Sequence, residues 1–157
     1  MKEIRIITYK PEYRDDFIRL NREWIERFFK IEASDIKAFD NIDSYILDKG
    51  GQIFIALTED GEAAGCCALI PHPERGCHEL AKMAVSEKYQ GHGAGRKLGE
   101  ALINYAREHG VKHIFLEGNT RLEASIALYR KLGFVEKPMD NPAYDRCDIM
   151  MTLDFRL

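Results

Sequence analysis

The residues best suited to chemistry lie in one stretch, Met83-Ala84-Val85-Ser86-Glu87-Lys88-Tyr89-Gln90-Gly91-His92-Gly93-Ala94-Gly95-Arg96. It reads as a strand, a short turn, a glycine-rich loop and a helix start. A phosphate group needs several backbone N–H donors converging on it. Glycines let the main chain come close, and a helix N-terminus adds unpaired donors and a favourable dipole. Gly91, Gly93 and Gly95 supply that freedom where the helix begins, and Arg96 offers a cation. A tight turn that binds nothing is the plain alternative. Two other phosphate loops do not fit. A dinucleotide loop, G-x-G-x-x-G, would need glycine at Arg96 or Leu98, and a nucleotide P-loop would need Gly-Lys-Ser/Thr at its end.

These residues must be positioned by regular elements, and the patterning supplies them. Glu3 to Thr8 reads as a first strand. Tyr13, Phe17, Leu20, Trp24 and Phe28 recur at helical spacing, which predicts an amphipathic helix over about 11–29 opened by Pro11. A second helix is expected over about 41–48, with Ile42, Tyr45 and Ile46 inward. After Gly50-Gly51, Gln52 to Thr58 and Ala63 to Ile70 form a hairpin around Asp60-Gly61, with Pro71 and Pro73 ending it. Glu79 to Val85 is the next strand. The helix from Gly93 to Glu108 carries Leu98, Ala101, Leu102, Tyr105 and Ala106 on one face and stops at Gly110. His113 to Glu117 is a strand, and Glu123 to Leu132 a helix ended by Gly133. Phe134-Val135 and Cys147 to Phe155 are strand-like, separated by a loop marked by Pro138 and Pro142. The element order indicates a single α/β domain, residues 1–157, with a mixed, largely antiparallel sheet and flanking helices.

Two motifs in this order resemble the GNAT superfamily of N-acetyltransferases. The superfamily signature Gln/Arg-x-x-Gly-x-Gly/Ala is matched by Gln90-Gly91-His92-Gly93-Ala94-Gly95. Glu79 to Val85 looks like the strand that precedes it. Ile126-Ala127-Leu128-Tyr129-Arg130-Lys131-Leu132-Gly133-Phe134, about 35 residues further on, resembles the second signature. The resemblance implies acetyl-CoA as acetyl donor and a sheet splayed at its centre. Pantetheine would lie along the main chain of Met83 and Val85, with the pyrophosphate on Gln90, Gly91, His92, Gly93, Ala94, Gly95 and Arg96. The asparagine that many members carry seven residues before the tyrosine is Leu122 here. Asn119 is the candidate to replace it as a cofactor contact, with a turn role as its alternative, and Ser125 is expected to pack.

The implied reaction moves an acetyl group to a primary amine by direct attack. An alkyl ammonium, with a pKa near ~10.4, must first lose a proton, and the departing thiolate gains from an acid. Tyr129 is the acid candidate, since a phenol near pKa ~10 is protonated at neutral pH and the resemblance places it beside the CoA sulfur. Glu79 is the base candidate, acting through a water. Strict strand alternation would put it on one face with Ala81, Met83 and Val85. Glu117 is its rival, and His78 and His113 are weaker ones. Cys66 and Cys77 could act as nucleophiles only without a supporting signature. A non-catalytic acyl-CoA-binding or regulatory module of the same fold is the alternative to an enzyme.

Composition narrows the remaining classes. The chain has 157 residues, 45% hydrophobic and 31% charged, with a net charge of −3. That suits one globular domain and gives no basic surface for nucleic acid. No apolar run approaches the ~20 residues of a membrane span, and Met1 to Arg5 lacks a signal-peptide pattern, so a cytoplasmic location is expected. The four cysteines and five histidines show no metal-ligand spacing, so no metal is expected. The acceptor, a small-molecule or peptide amine, is not legible. Neither is oligomeric state, a homodimer being a common outcome for soluble proteins.

Overall fold

The computed structural model of the protein describes residues 3–139 and 142–155. The outermost ends of the expected 1–157 domain, and two positions of the loop expected between the last strands, lie outside them. The described chain runs through β1 (Ile4–Thr8), a short turn of helix at Pro11–Tyr13, α1 (Arg14–Phe28), α2 (Ala33–Asp40), β2 (Gln52–Thr58), β3 (Ala63–His72) and β4 (Cys77–Val85). It continues through α3 (Ala94–Glu108), β5 (His113–Gly118), α4 (Glu123–Lys131), β6 (Val135–Lys137) and β7 (Ile149–Asp154).

The strands form one sheet in the order β1-β2-β3-β4-β5-β7-β6. Every neighbouring pair is antiparallel except β4 and β5, which are parallel. Parallel neighbours need a long crossover, and α3 provides it. Helices cover both faces. On one face Leu98, Leu102 and Ala106 of α3, with Ile126 and Tyr129 of α4, pack over Phe54, Leu80, Ile114 and Leu116. On the other, Phe17, Leu20 and Ile25 of α1 and Phe39 of α2 pack over Ile53, Ile55, Cys66, Ala68 and Ile70.

Three local expectations are corrected. The helical stretch expected over 41–48 is present over Ile42–Leu47 with Ile42 and Ile46 buried, but it winds as π-helix, with the Asp48 N–H donating to the Asp43 carbonyl, and it is preceded by a further helix, α2, that the patterning did not mark. Strand β3 runs on through Pro71, whose missing donor is tolerated near the strand end. Strand β4 correspondingly starts at Cys77, two residues before Glu79.

The fourth difference decides the site. Strict alternation along β4 fails, because Ala81 pairs with Ala68 but Ala84 pairs with Cys66, leaving an extra residue in β4. This is a β-bulge, and Lys82 sits in it at φ +57°, a left-handed conformation that costs a non-glycine residue roughly 1–2 kcal/mol. Ala81 and Ala84 therefore face α1, whereas Leu80, Met83 and Val85 face α3. Glu79 does not share a face with Met83, contrary to the alternation argument.

Partners around the bulge offset its strain. The buried Lys82 ammonium lies 2.5 Å from Asp35 Oδ1 of α2, and the Cys66 thiol donates to the Lys82 carbonyl. Asp35 also accepts from both Arg146 Nη atoms at 2.8 Å and from the Glu32 N–H at 2.9 Å. Burial pushes the Asp35 pKa up, but hydrogen bonds from Arg146 and Lys82 outweigh it and hold the carboxyl at about 2. Burial also pulls the Lys82 pKa down, with Asp35 opposing the shift.

Asp35→Asn should leave the buried Lys82 ammonium without its carboxylate and Arg146 with Glu32 alone, and lower unfolding free energy by about 3 kcal/mol, the usual cost of breaking such a pair, measured by urea denaturation. The pH dependence has a definite sign. A depressed folded pKa contributes stability above the unfolded value near 3.8 and loses it as pH falls through about 2. The wild type should lose stability over that acid window more steeply than the variant.

Candidate active site

Strands β4 and β5 pair only at His78 with Ile114 and at Glu79 with Phe115. Beyond that point they separate, leaving the β4 edge from Leu80 to Val85 without a strand partner on the β5 side. The gap is a window through the sheet. It belongs to a cleft lined by Trp24 and Phe29 of the α1 region, by β4 and β5, and by Ile126 and Tyr129 of α4.

The two ends of the window differ. On the α3 and α4 side, α4 presents Ser125, Ile126 and Tyr129 at helical spacing, with Leu122 just before it. Close packing of α4 on α3 sets that position. A Cβ on Gly99 would lie 2.5 Å from Leu132, and one on Gly95 would lie 3.2 Å from Leu128. Gly95 is thus a packing residue inside α3, unlike Gly91 and Gly93. Tyr129 is buried, with its ring edge-on to Phe134. Its hydroxyl has no hydrogen-bond partner among the described residues, and burial raises its pKa well above the ordinary phenol value, so it stays protonated.

On the α1 and α2 side the window meets two carboxylates from neighbouring strands, Glu79 and Glu117. Glu79 is 5% exposed, and its Oε1 lies 2.8 Å from His72 Nε2. That hydrogen bond leads the causes that raise the His72 pKa, against burial, while His72 Nδ1 lies 3.4 Å from exposed Glu74. Glu117 accepts from the Ala143 N–H at 3.1 Å. Burial, and next the nearby Glu79 carboxylate, raise its pKa. Tyr144 and Arg146, from the segment between β6 and β7, close this side. Arg146 binds Glu32 at 2.9 Å as well as Asp35, Ser34 donates to the Ala143 carbonyl, and the Asp145 N–H donates to Glu32.

The glycine loop stands at the N-terminus of α3. Gly91 (φ +82°) and Gly93 (φ +81°) adopt left-handed conformations that favour glycine, and Gly93 begins the helix without a side-chain cap. No acidic residue lies in the first turn of α3. His92 Nδ1 is buried without a hydrogen-bond partner, beside the Tyr89 ring. Gln90 precedes the loop, Ala94 is buried in the first turn, and Arg96 points outward toward Glu100 at 3.7 Å. Open backbone donors, a missing negative charge and an unpartnered strand edge together fit a pyrophosphate and an amide-bearing arm.

Of the residues singled out from sequence, Glu79, Met83, Asn119 and Tyr129 meet at the one cleft. Val85 and the loop 90–96 lie along the same strand and its exit. Asn119 is engaged locally: its Nδ2 donates to the Arg146 carbonyl, and its Oδ1 accepts from the Arg121 N–H, the turn role. His113 pairs with Asp154 and does not line the cleft, and His78 does not line it either. Cys66 is fully buried, with burial pushing its thiol up to about 12, and burial also raises Cys77, which disfavours the thiolate either would need. Sequence reasoning missed Asp35, His72, Tyr144, Arg146 and Lys82. The available sign was Lys82 itself, a charge inside the apolar run Leu80 to Val85.

Comparison with known proteins agrees with this geometry. The acetyltransferase (GNAT) family profile matches residues 17–134. An uncharacterised N-acetyltransferase of Schizosaccharomyces pombe is 26% identical over 152 residues, covering 88% of this chain and 90% of that protein. Other curated relatives are matched over less of their length, from 22% to 63%. A GNAT-family acetyltransferase from Staphylococcus aureus Mu50 superposes with a TM-score of 0.86 at 24% identity, covering 98% of this chain and all of that one. A phosphinothricin acetyltransferase from Sinorhizobium meliloti, solved with acetyl-CoA, has a TM-score of 0.79 at 18% identity over 96% of this chain and 88% of its own. With the profile spanning most of the chain and the splayed sheet in place, the chain belongs to the acetyltransferase (GNAT) family and is an acetyl-CoA-dependent N-acetyltransferase.

Proposed function

We propose that the window between β4 and β5 is where an amine from the α1 face meets a thioester from the α3 face. The observation that carries this is the parting of β4 and β5 beyond Glu79 and Phe115, with the bulge at Lys82 setting which β4 side chains face each side. The main chain of Met83 and Val85 would pair with the amide-bearing arm. Gln90, Gly91, His92, Gly93, Ala94, Gly95 and Arg96 would hold the pyrophosphate, largely through backbone N–H groups. The donor supplies an activated acetyl group. The chain's own residues then handle protons.

Glu79 is the base in this reading. It is set on the acceptor side, with one oxygen held by His72, so that its other oxygen can take the ammonium proton directly or through a water. Tyr129 is the acid, on the donor side, its hydroxyl free to donate to the leaving sulfur. No enzyme nucleophile is needed. The acceptor is an amine of a small molecule or peptide entering between α1 and the β6–β7 segment.

Gly93→Val should weaken acetyl-CoA binding by at least tenfold, because a β-branched residue resists φ +81° and the loop would rearrange. Calorimetric titration checks this, with circular dichroism showing the fold retained; wild-type affinity would remove the loop from the site. Glu79→Gln should lower kcat/KM most at neutral and acid pH and recover partly as pH rises, since alkaline solvent already holds free amine. A profile parallel to wild type would move the base elsewhere. Tyr129→Phe should leave acetyl-CoA affinity nearly unchanged and reduce kcat by roughly 10²–10⁴-fold, the reach of a positioned acid. An effect confined to KM would make it a positioning group.

A further inference from the structure

The acceptor side of the cleft has a charge pattern that says more about the amine than the reaction does. Two cations line it, Lys82 and Arg146, and both are already neutralised. Lys82 is held by Asp35, and Arg146 by Asp35 and Glu32. An acceptor carboxylate would have to displace one of these buried pairs. Two carboxylates also line it. Glu79 faces His72, but Glu117 makes no ion pair among the described residues and accepts only the Ala143 backbone N–H. Glu79 and Glu117 stand on adjacent strands, and the repulsion of Glu79 acts on Glu117 more strongly than the attraction of Arg75 or of His72, so a further cation at Glu117 relieves a strain that an uncharged group would leave.

The apolar part of the wall fits the same occupant. Trp24, Ile25 and Phe29 of the α1 region face the cleft opposite the carboxylates. A hydrocarbon spacer between two positive groups matches that mixture of apolar wall and acidic floor.

Resting on the assignment of this side of the cleft to the acceptor, we propose that the acceptor is a diamine or polyamine-like cation without a carboxylate near the reacting amine, and that Glu117 determines this specificity by holding the second positive charge. Glu79 takes the reacting ammonium, and Glu117 reads the charge at the far end.

Three probes of nearly equal length separate the alternatives: 1,5-diaminopentane, 1-aminopentane and 6-aminohexanoate. Thiol release from acetyl-CoA is followed with each, and each is titrated calorimetrically into the protein saturated with CoA. The expected order of kcat/KM is diamine, then aminopentane, then aminohexanoate, with the diamine ahead of aminopentane by about tenfold, as a charge-assisted hydrogen bond provides. In Glu117→Gln the ratio of diamine to aminopentane should fall to within about twofold of one. The wild-type comparison needs no variant, so misfolding of Glu117→Gln cannot hide the answer. Equal rates for diamine and aminopentane, or a preference for aminohexanoate, overturn the charge proposal while leaving acetyl transfer intact. Tighter, Glu117-dependent diamine binding without thiol release has the opposite meaning: the charge reading holds and the proposed acetyl transfer to such an amine fails. Absence of diamine binding overturns the proposal outright.

Discussion

The contact between Lys82 and Asp35 is the interaction on which the rest of the site depends. A lysine in a left-handed bulge of a central strand is unfavourable twice, through its backbone conformation and through burial of its ammonium. Asp35 answers the second cost at 2.5 Å, and the Cys66 thiol satisfies the bulge carbonyl that the ladder has lost. The result is a strand whose alternation changes phase at Lys82, so that Leu80, Met83 and Val85 face α3 while Ala81 and Ala84 face α1. Without the extra residue, the outer half of β4 would turn its side chains the other way, and Met83 would no longer lie against the α3 core.

That geometry separates two chemistries by the thickness of the sheet. The donor side offers backbone donors, an unpartnered strand edge and a protonated phenol. The α1 side offers carboxylates, one of them held by His72, and aromatic rings. In the proposed reading the carboxylate and the phenol stand at opposite mouths of the window, so each acts on its own reactant. The glycine loop completes the donor side, since α3 starts where β4 ends and its free N–H groups point out of the sheet edge.

Much of this was legible in the sequence. The order of elements, the hairpin turn at Glu59-Asp60-Gly61 and the loop at Gly91-His92-Gly93 follow from turn chemistry and periodicity, which are local properties. Helix α2 escaped because eight residues give barely two turns of pattern and its N-cap is a glutamate, Glu32, rather than Ser, Thr, Asp or Asn. The bulge escaped because a non-glycine left-handed residue carries no local mark; the partners of its side chain lie 47 and 62 positions away, Asp35 and Tyr144. The same reason hid the acceptor wall. Tyr144, Arg146 and Glu32 become neighbours only when the segment between β6 and β7 folds over α2.

Asp35 links architecture to selectivity. A single buried carboxylate pins the bulge through Lys82 and closes the acceptor side through Arg146. Buried ion networks contribute little net stability compared with apolar packing, so such a network is better explained by what it fixes than by what it stabilises. Here it fixes the bulge and neutralises both cations that line the cleft. Replacing Lys82 and Asp35 by an apolar pair can preserve stability, yet it would remove the partner that offsets the left-handed turn and leave Arg146 to Glu32. One carboxylate is thus shared between the β4 bulge and the wall formed by the β6–β7 segment.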